Sequence, residues 1–139
     1  MTTDATVVPP SRDALLADCL AAWTAMWNSY DLDQVAQRFV TDSSVIYFSS
    51  ETPGVSEGFD RLVAHHRAFG FVPGGKATAN RLWLDVPTIR WRDDTATVFT
   101  LWYFQRGGSD QAQRGPVTFI AVPDGSRYRI AHAHFANYS

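Results

Sequence analysis

Two histidines near the end of the chain, His132 and His134, are the side chains best suited to acid–base chemistry. They alternate with Ala131 and Ala133, and side chains two positions apart on a strand share a face, so both imidazoles are expected on the face of Ile130. Two imidazoles on a partly buried surface disfavour each other's protonation, which leaves neutral groups that can exchange protons near pH 7. We therefore predict that both are catalytic. In the alternative, they are structural, bonded to the backbone or placed in a subunit contact.

A third histidine, His66, lies on the apolar stripe of a predicted helix over residues 56–70 and is a candidate substrate-binding residue. With His132 and His134 it could form a three-histidine metal site. Helix and strand histidines converge only by chance of packing, however, and no carboxylate is placed to orient them, so we predict no metal. His65 falls beside the stripe and is expected at the rim of a pocket or in solvent.

Five aromatic side chains are candidate pocket walls: Trp27, Tyr47, Trp83, Trp102 and Tyr103. Their rings can stack on a flat substrate, and the hydroxyl of Tyr47 can donate to a developing oxyanion or act as an acid, so Tyr47 is predicted to be catalytic. Trp102 and Tyr103 are neighbours on one strand and point to opposite faces. We favour Trp102 for the pocket because its face also carries small residues. For each ring the alternative is simple core packing.

Carboxylates suited to a buried general base are scarce. Most aspartates fall in predicted caps and turns, and the exception is Asp85, which follows Leu82, Trp83 and Leu84 in a strand-like segment. Asp85 is therefore a candidate pocket residue, with an exposed strand face as the alternative.

The elements that must position these side chains follow from hydrophobic periodicity. It predicts helices at 11–30 and 32–39, a strand at 45–49, a helix at 56–70, and strands at 82–91, 95–105, 117–122 and 128–138. Pro87 interrupts the first strand of the final series and indicates a bend, a bulge or an edge position.

Helices that precede and interrupt a long antiparallel meander bury their apolar faces by lying across one face of a strongly curved sheet. We predict an α+β fold in which a cone-shaped, curved antiparallel sheet packs on three helices and encloses a pocket. The opposite face is also rich in aromatic residues, from which we expect a homodimer. Residues 1–10 are predicted as a flexible tail and residues 11–139 as a single domain.

Composition narrows the function. The 139 residues are 45% apolar, 14% aromatic and 19% charged, which is enough for a sizeable core. The net charge is −2 and the lysines and arginines are scattered, so the sequence predicts no basic patch that could bind nucleic acid. The sequence has one cysteine and no secretory signal, and no apolar run approaches the roughly 18 residues of a membrane-spanning helix. We therefore expect a cytoplasmic protein without membrane contact. Dinucleotide, phosphate-loop, nucleophile-elbow and zinc motifs are absent, so we predict no cofactor.

The last turn and strand carry Asp124-Gly125, the aromatic Tyr128 and a His-x-His pair. This ending and the element order from residue 11 onward resemble the SnoaL-like branch of the nuclear transport factor two-like superfamily. The association domain of calcium/calmodulin-dependent kinase shares the same ending. The chain departs from that pattern at two positions. Tyr128 replaces the usual tryptophan, and Thr118 occupies the position of an arginine that is common in the penultimate strand, although Arg114 lies slightly earlier in the chain. The resemblance implies an isomerase, dehydratase, cyclase, lyase or epoxide hydrolase, or a noncatalytic binding or assembly domain.

These observations predict a cofactor-independent lyase or isomerase that moves a proton on a small aromatic or polycyclic compound in an apolar pocket. His132 or His134 is the expected base or acid, and Tyr47 polarises a substrate oxygen. Dehydration, retro-aldol-type loss of a fragment and double-bond migration all fit, and lignin-derived aromatics are one substrate class. Ketosteroid-isomerase-like members use an aspartate base that this chain does not obviously match. The alternative is a noncatalytic small-ligand-binding or dimerisation module.

Overall fold

The computed structural model describes residues 10–138, so the predicted tail of residues 1–10 lies almost wholly outside the described residues. The elements are α1 (Arg12–Ser29), a 3-10 turn (Leu32–Gln34), α2 (Val35–Arg38), β1 (Ile46–Phe48), β2 (Val55–Glu57), α3 (Phe59–Ala68), β3 (Arg81–Leu84), β4 (Thr88–Arg92), β5 (Thr95–Gln105), β6 (Ala112–Asp124) and β7 (Arg127–Phe135). The expected α+β order is confirmed, with β2 as an unpredicted addition.

Helix α1 crosses the sheet and holds one wall of the interior. It begins after Ser11, whose side chain caps the first turn, and ends at Tyr30, which adopts a left-handed φ of 54°. Its apolar side, which includes Trp27, is buried. Near its end, Asn28 makes two 2.9 Å hydrogen bonds with the backbone N–H and C=O of Leu82 in β3. The last turn of α1 is therefore fixed to the edge of the sheet.

The described strands form one curved sheet in the order β2-β1-β7-β6-β5-β3, and β4 also pairs with β5. The predicted curved sheet on three helices is confirmed. The sheet is mixed, because β1 runs parallel to β7 while the other pairs are antiparallel. The segment predicted as one strand over 82–91 is two strands, which pair with opposite halves of β5 on either side of Pro87.

Helix α3 is shorter than the predicted helix over 56–70, because the chain first forms β2 against β1. Gly58 separates the two elements with a φ of 91°, a backbone conformation that residues other than glycine rarely adopt. The switch from strand to helix at Gly58 sets the start of α3 and with it the position of both helical histidines.

A β-bulge in β7 overturns the predicted orientation of the C-terminal histidines. Ala121 of β6 pairs with Ile130, whereas Ile120 pairs with His132, so Ala131 is an extra residue in β7. One extra residue reverses the in-and-out alternation beyond it. Ile130 therefore points inward, while His132 and His134 point to the outer face. The prediction that both imidazoles share the face of Ile130 is wrong for this reason.

Candidate functional site

A recess opens between α1, α3 and the inner face of the sheet. Its walls are mostly apolar, and a few polar groups lie at one side and at the mouth. The lining residues are Trp27, Tyr47, Ser49, Ser50, Glu51, His65, Phe69, Leu82, Trp102, Phe104, Arg106, Gln113 and Phe135. An apolar concavity with a small number of polar groups is the usual form of a small-molecule site.

The cavity inside this recess is narrow. It measures about 50 Å³, within a recess of about 460 Å³ that includes the open mouth. By this measure one water needs about 10–15 Å³, so the cavity corresponds to about four waters, or about 120 Å³ of liquid. The cavity therefore suits a single ring, and a polycyclic compound would have to extend into the mouth or displace side chains.

His65 and Tyr47 bring the polar chemistry into the cavity. Their ring centroids lie 5.0 Å apart. Burial lowers the pKa of His65, which keeps the imidazole neutral near pH 7, and His65 Nε2 is buried without a hydrogen-bond partner among residues 10–138. Burial also raises the pKa of Tyr47, which is 3% exposed, so its hydroxyl stays protonated. The pair thus offers a neutral imidazole and a hydroxyl donor in a mostly apolar cavity.

His66 lies directly behind the cavity wall and is fully buried. Its Nδ1 is 2.8 Å from the carbonyl oxygen of Leu62, one turn earlier in α3. Because a carbonyl only accepts, Nδ1 carries the hydrogen and Nε2 is an acceptor. Burial lowers the pKa of His66 to about 4, opposed by the bond to Leu62 and assisted by nearby His65.

The mouth of the recess is held by a polar network that joins three segments. Gln113 on β6 donates to the carboxylate of Glu51 at 2.9 Å and to the side-chain oxygen of Asn137 at 3.2 Å. Asn137 in turn donates to the carbonyl of Ser50 at 3.0 Å. Arg106 stands at the same mouth with its guanidinium over the ring of Phe104. The loop after β1 is therefore tied across the opening, which limits how the mouth can widen.

Three of the predicted site residues line the cavity: Trp27, Tyr47 and Trp102. Trp102 is a wall rather than a free donor, because its indole N–H donates to the carbonyl of Ala136 at 3.0 Å. Trp102 was favoured over Tyr103 because its face also carries small residues, and of the two it is Trp102 that lines the cavity. His66, also predicted, lies behind the wall.

The other predicted site residues lie on the opposite face of the sheet. Trp83 and Tyr103 stack there with ring centroids 5.3 Å apart, and the hydroxyl of Tyr103 donates to Asp85, which is exposed. These three residues were expected in the pocket, but β3 and β5 present Leu82 and Trp102 to the interior and the alternate residues outward.

His132 and His134 complete this outer group. His132 Nδ1 lies 2.9 Å from the carbonyl oxygen of Ile46, and the ring of His134 lies 4.8 Å from that of Phe48. The backbone bond is the arrangement expected if His132 is structural. Since His66 is on the inner side of the sheet, the three histidines do not converge, and no cluster of three potential metal ligands occurs within residues 10–138.

Sequence reasoning missed His65, which was expected at the rim or in solvent. A signal was present in α3: Leu62, His65, His66 and Phe69 follow the i, i+3, i+4, i+7 spacing of a buried helical face. The polar residues of the mouth carry no comparable signal, because Glu51, Arg106 and Gln113 are brought together only by the pairing of distant strands.

In the described part of the chain no helix is long and apolar enough to cross a membrane. No protein-family model matches the sequence, and no curated protein matches it.

Solved structures resemble the fold at low sequence identity. An NTF2-like protein of unknown function from Shewanella oneidensis has a TM-score of 0.75 at 18% identity, covering 91% of this chain and 99% of that one. The S. rosetta CaMKII hub has a TM-score of 0.75 at 18% identity, covering 94% and 100%. A putative calcium/calmodulin dependent protein kinase II association domain from Xanthomonas campestris has a TM-score of 0.74 at 16% identity, covering 98% and 95%. The fold of this chain is therefore NTF2-like.

Proposed function

We propose that this chain is a cofactor-independent lyase or isomerase of the SnoaL-like type, which moves a proton on a small single-ring compound. The observation that carries the proposal is the pair of His65 and Tyr47 in a narrow apolar cavity, one a neutral imidazole with an unpartnered nitrogen and the other a protonated hydroxyl. His65 takes the role that the sequence suggested for His132 or His134, because those two side chains lie outside the cavity.

The proposed chemistry begins when His65 Nε2 accepts a proton from a carbon beside a substrate carbonyl. The C–H electron pair moves into an enolate, and the hydroxyl of Tyr47 donates a hydrogen bond to the developing oxyanion. Return of the proton to a different carbon completes an isomerisation. Loss of hydroxide or of a small fragment from the enolate completes a lyase reaction, with the imidazolium supplying the proton to the leaving group. Exclusion of water strengthens both interactions.

Proton abstraction can be tested before the substrate is known. The protein is incubated in D₂O with a panel of single-ring ketones, and NMR follows the exchange of hydrogens beside the carbonyl. We expect at least one ketone to exchange faster than in buffer. His65→Gln should slow that exchange by about 10²- to 10⁴-fold. Arg67→Gln, on the exposed side of the same helix, is the matched control and should retain the rate.

Two outcomes would count against the proposal. If His65→Gln folds and keeps the exchange rate, the base is a different group. If ketones bind in the recess without any exchange, the protein is a ligand-binding module.

The second candidate function is noncatalytic assembly, which the names of two structural neighbours favour, a hub and an association domain. In this function the outer face of the sheet mediates a homodimer, and partly exposed apolar side chains such as Phe48, Phe99 and Ile120 support that placement. Sedimentation equilibrium over a wide concentration range tests it. A monomer at all concentrations would exclude the homodimer.

A further inference from the structure

Two ring nitrogens beside the cavity have opposite hydrogen-bonding character and no partner among residues 10–138. They are Trp27 Nε1 and His66 Nε2, both buried. Trp27 lines the cavity, and its ring centroid lies 5.5 Å from that of His66. A buried polar atom without a partner costs about 1–3 kcal/mol, and native structures contain few of them. Two such atoms in neighbouring rings indicate a ligand group that would satisfy both.

The chemistry of the two nitrogens defines that group. An indole Nε1–H can only donate. His66 Nε2 can only accept, because Nδ1 holds the hydrogen that is donated to Leu62 and burial keeps the ring neutral. Since Nδ1 points back to the turn of α3 that carries Leu62, Nε2 points away from that turn, and the rings of Trp27, Phe39, Tyr47 and Phe71 surround the imidazole. The complementary group must accept and donate at once.

We propose that the pocket selects a ring compound that bears a hydroxyl group, whose oxygen accepts from Trp27 Nε1–H while its hydrogen is donated to His66 Nε2. An ether or carbonyl would satisfy only Trp27, and an ammonium group would satisfy only His66. The inference rests on the same pocket as the proposed function, and it names the class of compound. Neighbouring side chains cover both nitrogens, so the proposal requires that the rings of Trp27 and His66 separate when the compound binds.

Trp23 provides an internal comparison. Its Nε1 is also buried without a partner, but the ring packs on Phe119 and Phe135 in the core and does not line the cavity. An unpaired indole N–H alone therefore does not indicate a ligand. Trp27 differs because it reaches the cavity and has an unpaired acceptor in the neighbouring ring.

The test compares phenol with anisole and toluene by titration calorimetry. Anisole keeps the oxygen acceptor but lacks the O–H donor, and toluene lacks both. We expect phenol to bind about tenfold or more tightly than anisole. Trp27→Phe removes the N–H and should reduce the preference for phenol over toluene severalfold. Trp23→Phe makes the same change four residues earlier in α1 and should leave that preference unaltered.

A second measurement needs no substitution. The unmodified protein is labelled with ¹⁵N-histidine and followed by NMR. Phenol should shift the Nε2 resonance of His66, because this nitrogen accepts a hydrogen bond from the phenol hydroxyl, whereas toluene should not shift it. Equal affinities for phenol and anisole, or a phenol-insensitive His66 Nε2 signal, would overturn the inference. The ketone exchange experiment tests the catalytic proposal separately. If the protein prefers phenol over anisole but does not catalyse exchange on any ketone, only the catalytic proposal is rejected.

Discussion

The two faces of the sheet carry similar residue types in different physical settings. The inner side holds His65, His66 and Tyr47 among buried aromatic rings, where burial lowers the pKa of both histidines and raises that of the tyrosine. The outer face holds His132 and His134, where one imidazole binds a backbone carbonyl and the other is exposed.

The presence of histidine and tyrosine therefore does not by itself show which face of the sheet could carry out acid–base chemistry. Desolvation makes an imidazole neutral and available, and unpaired nitrogens occur on the inner side, with His65 and His66. The outer face has instead the ring of Trp83 stacked on Tyr103, whose hydroxyl already donates to Asp85. The inner face therefore carries unpaired ring nitrogens close to a cavity, whereas the outer face carries polar groups that are already paired or exposed.

The largest expected difference between the faces is in folding stability. Phe119 on β6 is fully buried, whereas Phe99 on β5 is 44% exposed. Phe119→Ala should lower the free energy of unfolding by about 3–5 kcal/mol, because it removes buried contacts and leaves a cavity. Phe99→Ala should change it by less than about 1 kcal/mol. Urea denaturation of both variants provides the measurement.

The same pair also tests whether the outer face is covered by a second subunit. If Phe99→Ala destabilises the protein nearly as much as Phe119→Ala, and if the loss depends on protein concentration, the outer face is an interface. A small, concentration-independent effect would argue against a homodimer through this face.

The contrast between the faces was only partly predictable from sequence. The start of α1 follows from Ser11 and the spacing of apolar residues, and the opposite orientations of Tyr47 and Phe48 follow from strand alternation. The outward direction of His132 and His134 does not, because nothing in the alternating Ala-His run marks Ala131 as an extra residue. The bulge exists in the pairing of β7 with β6, which is a long-range property.

The pH dependence of stability should report on the inner histidines. The folded-state pKa of His66, about 4, lies below its ordinary value of 6.5, so the unfolded state binds the proton more tightly. Stability is full above about pH 6.5 and should fall as the pH drops toward 4, by about 3 kcal/mol in all. Burial of His65 adds a contribution of the same sign.

Urea denaturation between pH 7.5 and pH 5, above the range of most carboxylates, measures this slope. His66→Asn should flatten it, because the substituted side chain does not titrate. An unchanged slope in that variant would show that the buried imidazole is not its source.

A smaller difference is expected between two tryptophans on neighbouring strands. Trp102→Phe leaves the carbonyl of Ala136 without its indole donor and should cost about 1–3 kcal/mol. Trp83→Phe keeps an aromatic ring against Tyr103 and should cost about 0.5 kcal/mol. Equal losses in urea denaturation would mean that the bond to Ala136 does not stabilise the fold.

The smallest expected effect is also the sharpest test of the outer histidines. Replacing His132 and His134 together by glutamine should leave ketone exchange within about twofold of the unmodified rate. Stability should fall by about 1 kcal/mol, because the bond from His132 to the carbonyl of Ile46 is lost. His134→Gln alone keeps that bond and serves as the control. If exchange collapses in the double variant while the fold is retained, protons move on the outer face, and the recess with His65 and Tyr47 is not the site of chemistry.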